Sequence, residues 1–184
     1  MRIIIVSDNH GNQNILKILY HIYSSLYKDN VKFIHLGDSQ TTSINDLNNF
    51  ICVKGNNDTL DLPKFQRLTV LDKRIHFSHG DEGLDEIKKD IDQHHPDIYL
   101  YGHTHLVKEQ IYNNCLILNP GSITLPRDDR HGSYIILTID KKVTYKVVRI
   151  NVETFLNQYQ CFIGYPNFLG GSNLGGNLGD NNEK

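Results

Sequence analysis

Three short apolar runs in the first third of the chain each stop at a polar loop that contains glycine and an aspartate or asparagine. The runs are Ile3-Ile4-Ile5-Val6, residues 31–36 and residues 50–54. Continuous apolar runs of this length are typical of strands buried on both faces. Between the first two runs, apolar residues recur at helical spacing over residues 14–26, and Asn12 or Asn14 can cap that helix. Strands that alternate with helical or loop crossovers predict a parallel sheet, which binds its ligands beyond the carboxyl ends of the strands.

The second half of the chain has the pattern of hairpins. Strands are predicted within residues 66–78, 97–101, 108–118 and 133–150, with turns at Asp72-Lys73 and Asn113-Asn114. An intervening helix carries Leu84, Ile87 and Ile91 on one face and ends at Pro96. Pairing in this half is expected to be mostly antiparallel, which favours two sheets over one large sheet.

Composition limits the domain organisation and the classes of partner. We expect one folded domain over residues 1–163 and a flexible Gly/Asn-rich tail over residues 164–184, because the tail has too few apolar side chains to offset its ordering entropy. The formal net charge of -2 argues against stable nucleic-acid binding. Three distant cysteines argue against a disulfide scaffold or a thiolate metal site. With no apolar stretch near the roughly 18 residues of a membrane span, the chain is expected to be soluble and cytoplasmic.

Side chains that commonly bind metal ions stand at or just after the ends of predicted strands. Taken singly, each has an ordinary alternative as a helix cap, a turn residue or a solvated loop residue. Taken together they comprise four imidazoles, two carboxylates and an amide, a set too large for one ion and suited to two. Nitrogen and oxygen donors without thiolate leave Mn, Fe, Zn, Co and Ni open and disfavour Ca and Mg. The seven residues are Asp8, His10, Asp38, Asn56, His79, His103 and His105.

The order of these blocks resembles a known family, the calcineurin-like metallophosphoesterases. The resemblance covers residues 1 to about 150, and a small branch of bacterial and archaeal phosphodiesterases, which includes the retromer subunit Vps29, is the most similar in size and in its later motifs. Those later motifs are Asn119-Pro120-Gly121-Ser122 and Pro126-Arg127. The signature blocks are Asp8-Asn9-His10, Gly37-Asp38, Gly55-Asn56-Asn57-Asp58, His79-Gly80 and Gly102-His103-Thr104-His105.

The resemblance implies a fold and a metal centre. The fold is α/β, a four-layer α/β/β/α sandwich of two mixed β-sheets flanked by helices. The centre holds two divalent metal ions, with Mn²⁺ foremost and Fe, Zn, Co or Ni as alternatives. The implied ligands are Asp8, His10 and His105 for the first ion and Asn56, His79 and His103 for the second, with Asp38 as the bridge. In an extended or tightly turned segment, His103 and His105 can reach neighbouring ions while Thr104 points away.

The resemblance also implies an activity. The chain is expected to be a dinuclear metal-dependent phosphodiesterase that hydrolyses small phosphodiesters or nucleotide derivatives by attack of metal-bound hydroxide on phosphorus. The expected catalytic residues are Asp38, Asn57 and Asp58. Two alternatives stay open: a Vps29-like protein-binding scaffold with little or no hydrolytic activity, and a structural metal site without turnover. No membrane partner is expected, and a homo-oligomer is compatible with the sequence.

Two positions depart from the family pattern. Asn57 stands where many larger members of the family carry a histidine. Asp81 stands where relatives often carry a further histidine. An amide cannot transfer a proton near neutral pH, so good leaving groups are expected to react far better than alkoxides. His131, near Arg127 and Arg130, is a candidate for substrate contact. The other histidines are expected to have structural roles rather than ligand roles: His21, His35, His76, His94 and His95.

Overall fold

A computed structural model describes residues 1–162 as ten strands, three α-helices and three short 3-10 helices; the predicted tail lies outside the described residues. The strands are β1 (Arg2–Val6), β2 (Val31–His35), β3 (Ile51–Cys52), β4 (Phe65–Val70), β5 (Lys73–Ser78), β6 (Ile98–Leu100), β7 (Val107–Tyr112), β8 (Cys115–Pro120), β9 (Gly132–Ile139) and β10 (Val143–Ile150). The α-helices are α1 (Gln13–Tyr27), α2 (Leu84–His94) and α3 (Val152–Gln158), and the 3-10 helices are Lys28–Asn30, Ile44–Leu47 and Gln160–Phe162.

The first sheet has the strand order β10-β9-β1-β2-β3. Its strands β1, β2 and β3 are parallel, as the alternation of strands and crossovers predicted. The third strand is only two residues long, although the apolar run predicted five. The closing hairpin joins this sheet, because β9 pairs antiparallel with β1 on one side and with β10 on the other.

The second sheet has the strand order β4-β5-β6-β8-β7 and is mixed. The outer pairs β4–β5 and β7–β8 are antiparallel hairpins, whereas β6 is parallel to both β5 and β8. The expectation of mostly antiparallel pairing in this half was therefore wrong for β6. The physical reason is connectivity. Between β5 and β6 the helix α2 carries the chain back to the starting end of the sheet, and between β6 and β8 the strand β7 does the same, so each next strand runs in the same direction.

Three apolar clusters hold the layers together. Alternate residues of β1 point in opposite directions, so Ile3 and Ile5 face the second sheet while Ile4 and Val6 face α1 and α3. On the outer face of the second sheet, Ile87 of α2 packs in a third cluster with residues of β6 and β8. The layers are thus helix, sheet, sheet and helix, and the α/β sandwich is confirmed.

This arrangement brings the carboxyl ends of strands from both sheets to one edge. In the first sheet the backbone N–H of Asp8 donates to the carbonyl of Gly37 at 3.1 Å. In the second, the N–H of Gly102 donates to the carbonyl of His79 at 2.9 Å. Loops from both sheets meet at this edge, where the backbone N–H of His103 donates to Oδ2 of Asp8 at 3.1 Å. No helix within residues 1–162 has the length and apolar character needed to cross a membrane.

Candidate metal centre

The structure gathers the seven predicted donors in two adjoining groups. In the first group, Nε2 of His10 lies 3.2 Å from Nε2 of His105. The same His105 nitrogen lies 3.3 Å from Oδ1 of Asp8. Donor atoms of these three residues, from the loops after β1 and β6, all lie within 4.8 Å of one another. One ion can therefore contact all three.

The second group is built around the amide oxygen of Asn56. This Oδ1 atom lies 3.1 Å from Nε2 of His79 and 3.0 Å from Nδ1 of His103. The His79 nitrogen is also 3.5 Å from Oδ2 of Asp38. Asp8, Asp38 and His79 offer donor atoms within 4.8 Å of one another, so the two groups are contiguous. The bridging role of Asp38 stays a prediction, and its position between the groups supports it.

The ring orientations of two histidines are set by backbone carbonyls. Nδ1 of His79 donates to the carbonyl of Leu36, and Nδ1 of His105 donates to the carbonyl of Leu125, both at 2.7 Å. In a neutral ring, Nε2 then presents a lone pair toward the oxygen atoms of the site. Such second contacts are typical of metal-binding histidines.

The charge balance of the centre favours bound cations. Burial opposes a charged ring at His79, but the hydrogen bond that His79 donates to Asp38 and the charge of Asp8 outweigh it and raise the pKa of His79. The Asp8 carboxylate likewise raises the pKa of His105. Oδ1 of Asp8 is buried and accepts no hydrogen bond from the residues that the structure describes. Lone pairs and an unpartnered carboxylate oxygen that converge in this way fit divalent metal ions.

Asp38 is held as a carboxylate. Burial disfavours its charge, but hydrogen bonds from His79 and from Asn57 hold the pKa of Asp38 well below its usual range. The backbone N–H of Asn57 donates to Oδ1 at 2.8 Å, and its side-chain amide donates to Oδ2 at 2.6 Å. Asn57 therefore positions Asp38.

Most of the donor residues adopt a left-handed backbone. Such φ values are uncommon for residues other than glycine and tend to occur at functional sites. His103 and His105 have φ of 65° and 60°, so this segment is tightly turned rather than extended. Thr104 points away from both groups, and its hydroxyl accepts from the amide of Asn119 at 3.1 Å. The positive φ values in degrees are 55 at Asp8, 41 at His10, 56 at Asp38, 65 at His103 and 60 at His105.

The end of β8 and the loop that follows it contribute positioning contacts that the sequence did not predict. The amide of Asn119 also donates to the carbonyl of Gly102 at 2.7 Å. The hydroxyls of Ser122 and Thr124 both donate to the carbonyl of Asp8, at 2.7 and 3.0 Å. The only signal for this loop in the sequence was the Asn-Pro-Gly-Ser motif, which indicated a family branch and not these contacts.

Asp58 holds the loops together. Its Oδ1 accepts from the hydroxyl of Ser39 and the N–H of Gln40, and its Oδ2 accepts from the N–H groups of Asp38 and Gly55. Four hydrogen bonds saturate this buried carboxylate. The predicted catalytic role of Asp58 is untested, and these contacts support an indirect one, in which it orients the loop that presents Asp38.

Two further predicted candidates lie outside the donor groups. Nδ1 of His131 is 3.1 Å from Oδ1 of Asp129, so its substrate contact stays a prediction. Arg127 is exposed, and its backbone N–H donates to the carbonyl of His105 at 3.0 Å. Asp81 is exposed beyond His79.

His35 is buried beneath the centre. Its Nε2 donates to the amide oxygen of Asn9 at 2.8 Å, and its Nδ1 accepts from the N–H of Gly37 at 3.2 Å. Burial lowers the pKa of His35 from 6.5 to about 4. The ring is therefore neutral in the folded protein and links the loops after β1 and β2.

This buried ring predicts an acid sensitivity of folding. Below pH 6.5 the unfolded chain binds a proton at His35 that the folded chain does not, so the free energy of unfolding falls by about 3 kcal/mol between pH 6.5 and 4. We expect His35→Gln to lose about 2 kcal/mol less than wild type between pH 7 and 4.5. Urea unfolding in EDTA measures this difference, and parallel pH profiles would contradict it.

The chain is similar to known proteins in sequence and in structure. Residues 1–142 match the model of the calcineurin-like phosphoesterase superfamily domain. A probable metallophosphoesterase, YsnB of Bacillus subtilis, is 30% identical over 147 residues, which cover 76% of this chain and 85% of that protein.

Solved structures share the fold. A predicted phosphoesterase from Streptococcus pneumoniae has a TM-score of 0.72 at 25% identity, covering 80% of this chain and 88% of that one. A structure described as a novel archaeal phosphodiesterase has a TM-score of 0.64 at 24% identity, covering 82% and 100%. Vps29 of Chaetomium thermophilum has a TM-score of 0.58 at 19% identity, covering 82% and 93%. The last two show similarity of fold alone.

Proposed function

The chain belongs to the calcineurin-like phosphoesterase superfamily, and from this premise we propose that it is a dinuclear metal-dependent phosphodiesterase acting on small phosphodiesters or nucleotide derivatives. One observation carries the proposal: all seven predicted donors meet in two contiguous groups with Asp38 between them. A structural site is normally closed by its protein ligands, whereas seven donors shared by two ions leave coordination positions open.

The two groups of donors would hold one divalent ion each. Asp8, His10 and His105 would bind one ion, and Asn56, His79 and His103 the other. Imidazole and carboxylate donors without thiolate suit Mn²⁺, and Fe, Zn, Co and Ni remain alternatives. When bound, such a pair of ions supplies a water activated for attack on phosphorus and neutralises charge on the phosphoryl oxygens.

The residues of the chain have distinct tasks around these ions. Leu36 and Leu125 orient the ring nitrogens of His79 and His105 through their carbonyls. Asp38 keeps its charge, and Asn57 holds it in place. The other amide hydrogen of Asn57 is available to donate to a phosphoryl oxygen. Asn57 is exposed while Asp38 is buried, so a substrate would reach Asn57 from the solvent side.

The test is hydrolysis of bis-p-nitrophenyl phosphate by the metal-free chain after addition of Mn²⁺, with Fe, Co, Ni and Zn tested in parallel. We expect Mn²⁺-dependent turnover and close to two bound equivalents per chain. His103→Ala should lose both the second equivalent and the activity. A chain that binds no metal at saturating Mn²⁺, or that binds two ions and stays inert with every metal, contradicts the proposal. The latter outcome would favour the protein-binding scaffold.

Because Asn57 stands where a histidine could donate a proton, we make a separate prediction about the leaving groups that the chain can release. Its amide cannot protonate an alkoxide, so Asn57→His should raise the turnover of alkyl phosphodiesters relative to that of p-nitrophenyl esters by about 100-fold. The ratio is the quantity to measure, because loss of the hydrogen bond to Asp38 lowers both rates together. An unchanged ratio would show that proton donation is not what limits poor substrates.

A further inference from the structure

We propose that a second metal site, for a single Zn²⁺ ion, lies on the outer face of the second sheet and is formed by His76, Asp90 and His94. It stands apart from the donors described above and does not depend on the proposed function. Donor atoms of the three side chains all lie within 4.8 Å of one another. His76 and His94 were expected to have structural roles, since nothing in the sequence shows that a strand residue and a helix residue meet.

The three side chains share one carboxylate. Nδ1 of His76 lies 2.5 Å from Oδ2 of Asp90, and Nδ1 of His94 lies 2.9 Å from Oδ1 of the same residue. Two imidazoles and one carboxylate form a donor set found in zinc sites with three protein ligands and one exchangeable position. In a neutral ring the Nδ1 proton would move to Nε2 and free the Nδ1 lone pair for Zn²⁺. A doubly protonated ring has no free lone pair, so binding weakens as the pH falls.

The fold places these donors by the periodicity of its elements. Asp90 and His94 are one turn apart on α2 and so project from the same side of the helix. Ile75 and Phe77 of β5 belong to the cluster between the sheets, which leaves His76 on the opposite face, toward α2. A metal ion here would link α2 to β5, three residues before His79.

The site is open to solvent on one side. A cleft of about 420 Å³ is lined by Asp90 and His94 and continues past Ser78 and Tyr99. The side chain of His76 is buried, whereas that of His94 is 29% exposed. The cleft provides an entry path and room for a water molecule in the fourth coordination position.

Arg67 supplies positive charge at the same place. Its Nη2 atom lies 3.0 Å from Nε2 of His94 and 3.4 Å from Oδ1 of Asp90. The arginine side chain is 51% exposed and extends from β4, so it can move into solvent when an ion enters. We therefore treat Arg67 as a competitor of the metal, whose removal strengthens binding.

The experiment is a Zn²⁺ titration of the full chain against a chromophoric chelator, after removal of metal with EDTA. Because the donors of the candidate centre are also of types that bind Zn²⁺, the quantity to compare is the number of equivalents. His94→Ala should bind one equivalent fewer than wild type and keep Mn²⁺-dependent hydrolysis. The matched control is His95→Asn, since His95 is exposed, adjacent in sequence and outside the donor set, and it should bind the same number of equivalents as wild type.

Arg67→Ala separates a metal site from a network of hydrogen bonds. If the Arg67 side chain leaves the site free for only about a tenth of the time, it weakens the apparent affinity for Zn²⁺ about tenfold. The Arg67→Ala variant should therefore bind the additional Zn²⁺ about tenfold more tightly. Equal equivalents in wild type and His94→Ala would overturn the proposal. So would an Arg67→Ala chain whose affinity is no higher than that of wild type. The outcome is independent of turnover, so failure here leaves the phosphodiesterase proposal intact.

Discussion

Asp38→Asn should reduce Mn²⁺-dependent phosphodiester hydrolysis by more than about 100-fold, the upper range for loss of a group that only supports a metal ligand. The substitution keeps the shape of the side chain and removes its charge. In the structure this carboxylate lies 3.5 Å from the ring nitrogen of His79 and accepts two hydrogen bonds from Asn57. An amide offers neither the charge that binds a cation nor a second acceptor oxygen.

Metal content and folding have to be measured together with the rate. We expect Asp38→Asn to bind fewer than two equivalents of Mn²⁺ while its far-UV circular dichroism stays that of wild type. Asp81→Asn is the matched control, because it makes the same chemical change at an exposed carboxylate two residues beyond His79. This control should retain activity within about twofold. An Asp38→Asn chain with more than a tenth of the wild-type rate would exclude Asp38 as the bridge.

Gly55→Ala should destabilise the chain and abolish its activity through a steric clash. A Cβ atom at this glycine would lie 2.2 Å from both the backbone nitrogen and Oδ1 of Asp38. Neither atom can withdraw, because one is backbone and the other is held by Asn57. Overpacking of this kind costs about 3 kcal/mol, which for a chain of this size lowers Tm by about 6 to 12 °C. Thermal and urea unfolding measure the loss, and the hydrolysis assay measures its effect on the centre.

Gly83→Ala is the control for glycine replacement as such. Gly83 has a φ of +92°, and a Cβ there would meet nothing within 4 Å. Its ψ of 168° places it in a backbone region essentially restricted to glycine, so we expect a cost of about 1 to 3 kcal/mol and full activity at temperatures where the chain is folded. If Gly55→Ala were as stable and as active as this control, the close packing of the loops after β2 and β3 would not matter for the centre.

The local sequence pattern predicted secondary structure well where a helix or strand depends mainly on its own residues. The helical spacing over residues 14–26 became α1 (Gln13–Tyr27), and the run from Ile3 to Val6 became the core of β1. The prediction failed where the partner strand decides. β3 is shorter than its apolar run because only Ile51 and Cys52 pair with β2. Likewise, β6 is parallel to both neighbours because of its connections, which periodicity does not reveal.

At the candidate centre too, local features were predicted from the sequence and contacts between distant segments were not. The seven candidate donors were predicted from the sequence, since each follows a predicted strand and carries a side chain that commonly binds metals, and their role as ligands stays a prediction. The family resemblance also placed His103 and His105 in different groups. The sequence did not predict the hydrogen bonds that hold the donors, such as those from Asn119 to Gly102 and from Ser122 to Asp8. These contacts join loops distant in the chain and leave no local signal.

By itself, then, the sequence determined most element types and predicted the candidate donor residues at strand ends, because periodicity, turn residues and side-chain chemistry are local properties. Only the tertiary structure decided which side chains meet. His10 and His105 are 95 residues apart in the chain, yet their ring nitrogens are 3.2 Å apart. His76, Asp90 and His94 likewise meet because α2 packs on the second sheet. Such proximity depends on how the layers pack, and layer packing results from burial of apolar surface summed over the whole chain.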